Sequence, residues 1–263
     1  MADERLVAFE RLLNIMDDLR AKCPWDKEQT LESLRHLTIE ETYELSDAIM
    51  KNDKTEIKKE IGDILLHMIF YAKIGSETGD FDITSVINSL CDKLIFRHPH
   101  IYGDVKADDA ATVTQNWEKI KQKEGNKGAL SGVPSSMPSL LKALRIQDKA
   151  RAIGFDWDRP EQVWEKVQEE LSEFHEEVTS RSSANDDSNK EKIEGEFGDV
   201  LFSLINYARY LKINPEDALE KTNKKFIYRF NYMEKKILEQ GKALADSTLE
   251  EMDKFWNEAK KLE

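Results

Sequence analysis

One acidic pattern occurs twice in this chain, and it restricts the fold more than any other feature. Glu40-Glu41-Thr42-Tyr43-Glu44 is followed by Glu60-Ile61-Gly62-Asp63, and Glu169-Glu170-Leu171-Ser172-Glu173 is followed by Glu196-Phe197-Gly198-Asp199. Within each copy, carboxylates stand three residues apart, close to one helical turn, and so neighbour each other on a helix. Each E-x-x-D leads an apolar run, Ile64-Leu65-Leu66 in the first copy and Val200-Leu201-Phe202 in the second. Both runs read as largely buried helices. Leu37, Glu41, Glu44 and Ala48 make one stripe of the preceding helix. Two glutamates on a partly inward line are costly unless something neutralises them, so the stripe asks for a cation.

The rest of the chain is built around this duplication. Apolar spacing predicts helices over about 4–20, 31–50, 54–74 and 83–97, with breaks at Cys23-Pro24-Trp25-Asp26, at Asn52-Asp53, in a loop over 75–80 and at His98-Pro99-His100. A shorter helix over 109–123 carries Trp117 and Lys121. In the second half a helix over about 138–152 is followed by a turn at Phe155-Asp156-Trp157-Asp158, the acidic helix over 160–180, and EFGDVLFSLINYAR against the earlier EIGDILLHMIFYAK. A polar loop, 182–189, absorbs the difference in length between the copies. Lys93-x-x-x-Arg97 matches Lys225-x-x-x-Arg229, and Trp117 with Lys121 matches Trp256 with Lys260. Gly, Asn, Pro and Ser gather over 125–139, the clearest linker signal. The expectation is an all-α chain of two tandem helical-bundle units, 1–124 and 140–263, each of four to five helices.

The sequence also excludes classes. With 263 residues, only 6 prolines and 11 glycines, long helices are favoured over a turn-rich β fold. A net charge of −13 argues against nucleic acid and anionic membranes as partners. Two cysteines form neither a CxxC nor a disulfide framework, which favours a reduced, cytoplasmic setting. The N-terminal residues do not read as a signal peptide, and no apolar run approaches the ~20 residues of a membrane span.

Four carboxylates from two helices make a hard oxygen site suited to Mg2+ or Mn2+. The site is over-charged for one ion, which a polyphosphate bridged by metal would explain. Lys225, Arg229 and Lys260 offer cations for phosphate oxygens, and Trp256 offers a face for a base. Each item alone has a plain structural reading. An isolated E-E-x-x-E is a solvated helix face, a tryptophan is core, and His98-Pro99-His100 is a helix stop. His67 is matched by Ser203 and reads as structural. The doubling of the whole set favours the metal reading. Two other classes compete with a metal-dependent hydrolase: a non-catalytic helical module that senses nucleotides or binds a partner, and a di-iron carboxylate bundle. The latter needs Glu-x-x-His on two helices, and the second half offers no such histidine.

The ordered set CPWDKEQT (23–30), EETYE (40–44), EIGDIL (60–65), RHPH (97–100), GFDW (154–157) and EFGDVLF (196–202) resembles the MazG family of all-α nucleoside triphosphate pyrophosphohydrolases over nearly the whole chain. The resemblance implies Mg2+-dependent hydrolysis of a nucleoside triphosphate to monophosphate and pyrophosphate by a cytoplasmic homodimer. Carried over by position, Glu170, Glu173, Glu196 and Asp199 are metal ligands and catalytic residues. Glu169, Lys225, Arg229, Trp256 and Lys260 face the substrate. Glu41, Glu44, Glu60 and Asp63 are the first unit's metal ligands, with Lys93, Arg97, Trp117 and Lys121 beside them. The resemblance leans towards the second unit as the main catalytic one, and Glu173 is the expected residue to orient a water.

Overall fold

The computed structural model describes residues 3–106, 109, 112–113, 116–117, 120, 128–180 and 187–262. Among these residues there are eleven α-helices, one 3-10 turn at Leu244–Asp246 and no strand, so the all-α expectation holds. The chain divides into two compact units, Met1–Val113 and Thr114–Glu263. Residues 128–139, the described part of the expected linker, fall in the second. Most of the expected helix over 109–123, Lys121 included, lies outside the described residues.

The first unit contains α1 (Glu4–Lys22), α2 (Pro24–Glu28), α3 (Leu31–Lys51), α4 (Lys54–Thr78), α5 (Ile83–Arg97) and α6 (Pro99–Tyr102). The acidic helices α3 and α4 form its most extensive packing. Their order follows from local chemistry. Thr30 and Ser33 form a reciprocal capping box that starts α3. Asn52 ends it in the left-handed region, at φ 55°, and the Asp53 carboxylate then accepts from the N–H groups of Thr55 and Glu56 to start α4. Two residues thus turn the chain back on itself. Beneath the pair lie Met16, Leu34, Ile69, Phe70 and Ile74, with Phe9, Leu37 and Tyr71 packed around them.

Three expectations need correction here. The Cys23-Pro24 break is followed by a short helix, because proline at the first helical position gives up only an N–H that has no partner there. Pro99 starts α6 in the same way. Finally, residues 75–78 continue α4 instead of forming a loop. Gly75 is buried against the Phe81 ring, where a Cβ would stand 2.6 Å from ring carbon. Glycine is needed there for close packing, and the turn falls at Gly79, at φ +76°.

The second unit contains α7 (Ser139–Ala152), α8 (Pro160–Thr179), α9 (Asp187–Tyr210), α10 (Pro215–Glu239) and α11 (Leu249–Leu262). The acidic helices α8 and α9 again make the most extensive contact, and α10 packs on α11. Asp187, Ser188 and Asn189, expected in the polar loop, belong to α9; residues 181–186 lie outside the described part. A small apolar cluster of Met233, Ile237 and Phe255 joins α10 to α11. Val163 and Val167 of α8 and Val200 and Ile205 of α9 are buried, and polar groups are buried against α9 as well. Gln147 Nε2 donates to the Phe202 carbonyl at 2.8 Å. The Arg209 guanidinium donates to Asn206 Oδ1 and pairs with Asp156 at 2.5 Å.

Candidate functional site

The helix pairs bring the carboxylates together from both sides of each hairpin. In the first unit Glu41 from α3 and Glu60 and Asp63 from α4 present oxygens within 4.8 Å of one another. In the second unit Glu170 from α8 and Glu196 and Asp199 from α9 do the same. One residue of each group is buried, Glu60 in the first and Glu170 in the second. Glu44 and Glu173, one turn further along, are exposed and stand outside these three-oxygen groups, as does exposed Glu169.

Negative charge is crowded at and beside these groups. Burial, then Asp63 and Glu44, then a hydrogen bond and the charge of Glu60 push the Glu41 carboxyl above its usual range. The Glu173 carboxyl is also raised, first by loss of surrounding water and then by Glu170, with Lys166 pulling the other way. In the first unit Glu60 Oε2 is buried with no hydrogen-bond partner, while Oε1 accepts from Lys59 Nζ at 2.8 Å. An orphaned carboxylate oxygen among two further carboxylates fits a hard divalent cation by donor type and by need. His67, one turn beyond Asp63, is buried with Nδ1 lacking a partner, and burial lowers its pKa against the opposing pull of Asp63. It belongs to the neutral interior beside the group, in keeping with its structural reading.

Sequence reasoning missed the lysines. Lys166 Nζ lies 2.8 Å from Glu169 and 2.7 Å from Glu170. Lys59 Nζ lies 2.8 Å from Glu60 and 3.9 Å from Glu56. The signal for Lys166 was present as i,i+3 and i,i+4 spacing to the E-E pair. For Lys59 it was not, since adjacent helix residues do not ordinarily face each other.

The expected nucleotide contacts form a second group. Arg229 lies over the Trp256 ring, 5.7 Å from its centroid, and Phe226 meets the same ring edge-on at 5.0 Å. Lys225 and Lys260 are exposed on the same two helices, α10 and α11. The carboxylates are on α8 and α9, and α10 touches α9 only lightly. In the first unit Lys93 is exposed and Arg97 is half-buried; Trp117, expected there, is half-buried and falls in the second unit.

Comparison with known proteins agrees with this geometry. The family model described as the MazG nucleotide pyrophosphohydrolase domain matches residues 29–102 and again 159–233. These spans contain both carboxylate groups, and the second reaches Lys225 and Arg229. The chain is 41% identical over 259 residues to a protein of Thermotoga maritima named nucleoside triphosphate pyrophosphohydrolase/pyrophosphatase MazG, covering 97% of this chain and 96% of the relative. It is 39% identical over 262 residues to the nucleoside triphosphate pyrophosphohydrolase of Escherichia coli K12, covering 97% of this chain and 98% of the relative. It is also 45% identical over 260 residues to YabN of Bacillus subtilis, covering 97% of this chain and 52% of that longer protein. A chain with two matched copies of the domain and such identity over its whole length belongs to the MazG nucleotide pyrophosphohydrolase family.

Proposed function

We propose that the protein is a Mg2+-dependent hydrolase of nucleoside triphosphates that cleaves between the α and β phosphates, releasing nucleoside monophosphate and pyrophosphate. The observation that carries this is the pair of three-carboxylate groups, each with oxygens within 4.8 Å, in a chain of this family. Glu170, Glu196 and Asp199 would hold the cation in the second unit, with Glu41, Glu60 and Asp63 in the first. When bound, the cation supplies charge neutralisation at the phosphates. Lys225, Arg229 and Lys260 supply the remaining positive charge. Trp256, packed by Phe226 and with Arg229 over its ring, offers the rest of its indole to a base. Glu173 is exposed, within reach of solvent, and raised in pKa, which suits it to orient a water or accept its proton.

The same reading includes a homodimer, for which exposed apolar surface is the support. Phe197, Leu201 and Leu204 on α9 and Phe226, Ile227 and Tyr228 on α10 are all exposed, more apolar surface than single helices usually leave to water. A second copy would cover these faces and bring further side chains towards the carboxylates. No helix of the described residues is long and apolar enough to cross a membrane, and both cysteines are free, which suits a cytoplasmic enzyme. Incubation with a panel of nucleoside triphosphates and Mg2+ tests the proposal. Pyrophosphate and monophosphate in equal amounts are expected; orthophosphate alone, or no product, overturns it.

A further inference from the structure

We infer that Lys166 is the resting counter-ion of the second carboxylate group: it occupies Glu169 and Glu170 until a divalent cation takes over their charge, and so sets the cation concentration at which that site fills. The inference rests on the proposed metal reading of Glu170, Glu196 and Asp199.

Three observations carry it. The first is the contact itself, since Lys166 Nζ bridges Glu169 and Glu170 at 2.8 and 2.7 Å, and Glu170 also belongs to the three-oxygen group. One carboxylate therefore serves two positive charges. The second is an asymmetry of exposure. The Glu170 side chain is only 9% exposed and Lys166 is 35% exposed. The carboxylate is fixed by packing, whereas the lysine is a long, flexible stem with water beside it. It can leave; Glu170 cannot.

The third observation is that the first unit meets the same need from elsewhere. There Lys59 grips Glu60, with the lysine 57% exposed and the carboxylate 3% exposed. Yet the positions do not correspond. Aligned on the acidic motifs, Lys166 falls opposite Leu37, and Lys59 falls opposite Gly195. The acids coincide and the counter-ions do not. One comes from the helix carrying E-E-x-x-E, the other from the helix carrying E-x-x-D. A buried carboxylate in a crowded acidic group requires a cation when no metal is there, and the two units supply it independently. A lysine that remained near the filled site would also repel the divalent ion, so it weakens metal binding by occupancy and by charge.

The test is Mn2+ binding to the full chain, read as loss of the free-ion EPR signal. Asp63→Asn is introduced throughout so that the second group is the one counted. Lys166→Met is expected to tighten Mn2+ binding about tenfold, a screened figure for one charge at a partly exposed site. Lys166→Arg, which keeps the charge, is expected to bind as the parent does. Without metal, Lys166→Met should melt lower than the parent, and Mn2+ should raise its melting temperature by more. A purely structural lysine would lower stability without tightening binding. Unchanged or weaker Mn2+ binding in Lys166→Met, with Asp199→Asn still abolishing it, overturns the role of Lys166 and leaves the metal site standing. Binding that survives Asp199→Asn overturns the metal reading, and the lysine inference falls with it. Lys166→Gln repeats the measurement if the methionine variant does not fold.

Discussion

The two units place the same acids at the same spacing but support them differently. In the first, the helix behind E-x-x-D buries Ile69 and Phe70 in an apolar cluster with Met16, Leu34 and Ile74. In the second, the positions matching Phe70, Lys73 and Ile74 are Asn206, Arg209 and Tyr210. These form a polar strut: Arg209 joins Asn206 to Asp156, and the Tyr210 hydroxyl donates to the Trp157 carbonyl. His67 is matched by Ser203, whose hydroxyl donates to its own helix at the Val200 carbonyl. The acids are therefore not a by-product of one way of packing two helices. Leu34 and Ile69 keep buried apolar matches in Val163 and Ile205, yet interiors that differ at the other positions present the same carboxylate geometry, which points to a shared chemical demand on the surface they create.

The largest expected effect separates the units by activity. Asp199→Asn should reduce pyrophosphate release on the order of 100-fold or more, because loss of a ligand should cost at least as much as the loss of a group behind one. Asp63→Asn should leave most of the activity if the second unit dominates. Equal losses from both substitutions, measured at saturating Mg2+, would show that the sites work as one.

Next in size is the support beneath each site. Phe70→Ala should cost about 3–5 kcal/mol in chemical denaturation, since it empties an apolar core. Arg209→Met should cost about 3 kcal/mol, for a different reason: it leaves Asp156 and Asn206 without their partner. The two costs predict different acid responses. Burial raises the Asp156 carboxyl, but the Arg209 guanidinium, by hydrogen bond and by charge, outweighs it and holds the carboxyl below its usual range. A carboxylate with a depressed folded pKa stabilises the fold above its unfolded value, and that contribution disappears as pH falls through the folded value. Melting of the parent should thus lose stability below about pH 4, and Asp156→Asn should flatten that part of the profile. A parallel profile for the variant would remove the strut from the account.

The smallest effect concerns the tyrosines. Tyr71 Oη lies 2.6 Å from Thr38 Oγ1, a link between α3 and α4. In the second unit Tyr71 is matched by Tyr207 and Thr38 by Val167, which has no hydroxyl, and Tyr207 packs on Trp164 at 5.1 Å. Tyr71→Phe should cost about 1 kcal/mol, the net worth of one hydrogen bond. A cost near zero would mean that ring packing alone joins the acidic helices in the first unit as well.

Much of this was legible in the residues. The turn at Asn52-Asp53 and the breaks at Pro24 and Pro99 were readable, because these signals act within a few residues, whereas the short helices that the two prolines start were not. The pairing of E-E-x-x-E with E-x-x-D followed from a short turn between amphipathic helices. Other features were hidden. Gly75 looked like a loop residue because its reason, the Phe81 ring, is supplied by packing. Asp156 and Arg209 were unremarkable apart, since their pairing depends on where α9 lies against the preceding turn.

By itself the sequence determined the all-α class, the duplication and the face on which each carboxylate sits. Those depend on spacing along a helix of fixed pitch, a local quantity. Tertiary structure decided which oxygens meet: three from each set come within 4.8 Å, while Glu44 and Glu173 remain at the rim. It also decided which carboxylate of each set is buried, Glu60 in the first and Glu170 in the second. Carboxylates on two different helices meet only where packing brings those helices together, whereas each lysine pairs within its own helix, and two units with matching acids placed theirs on different helices.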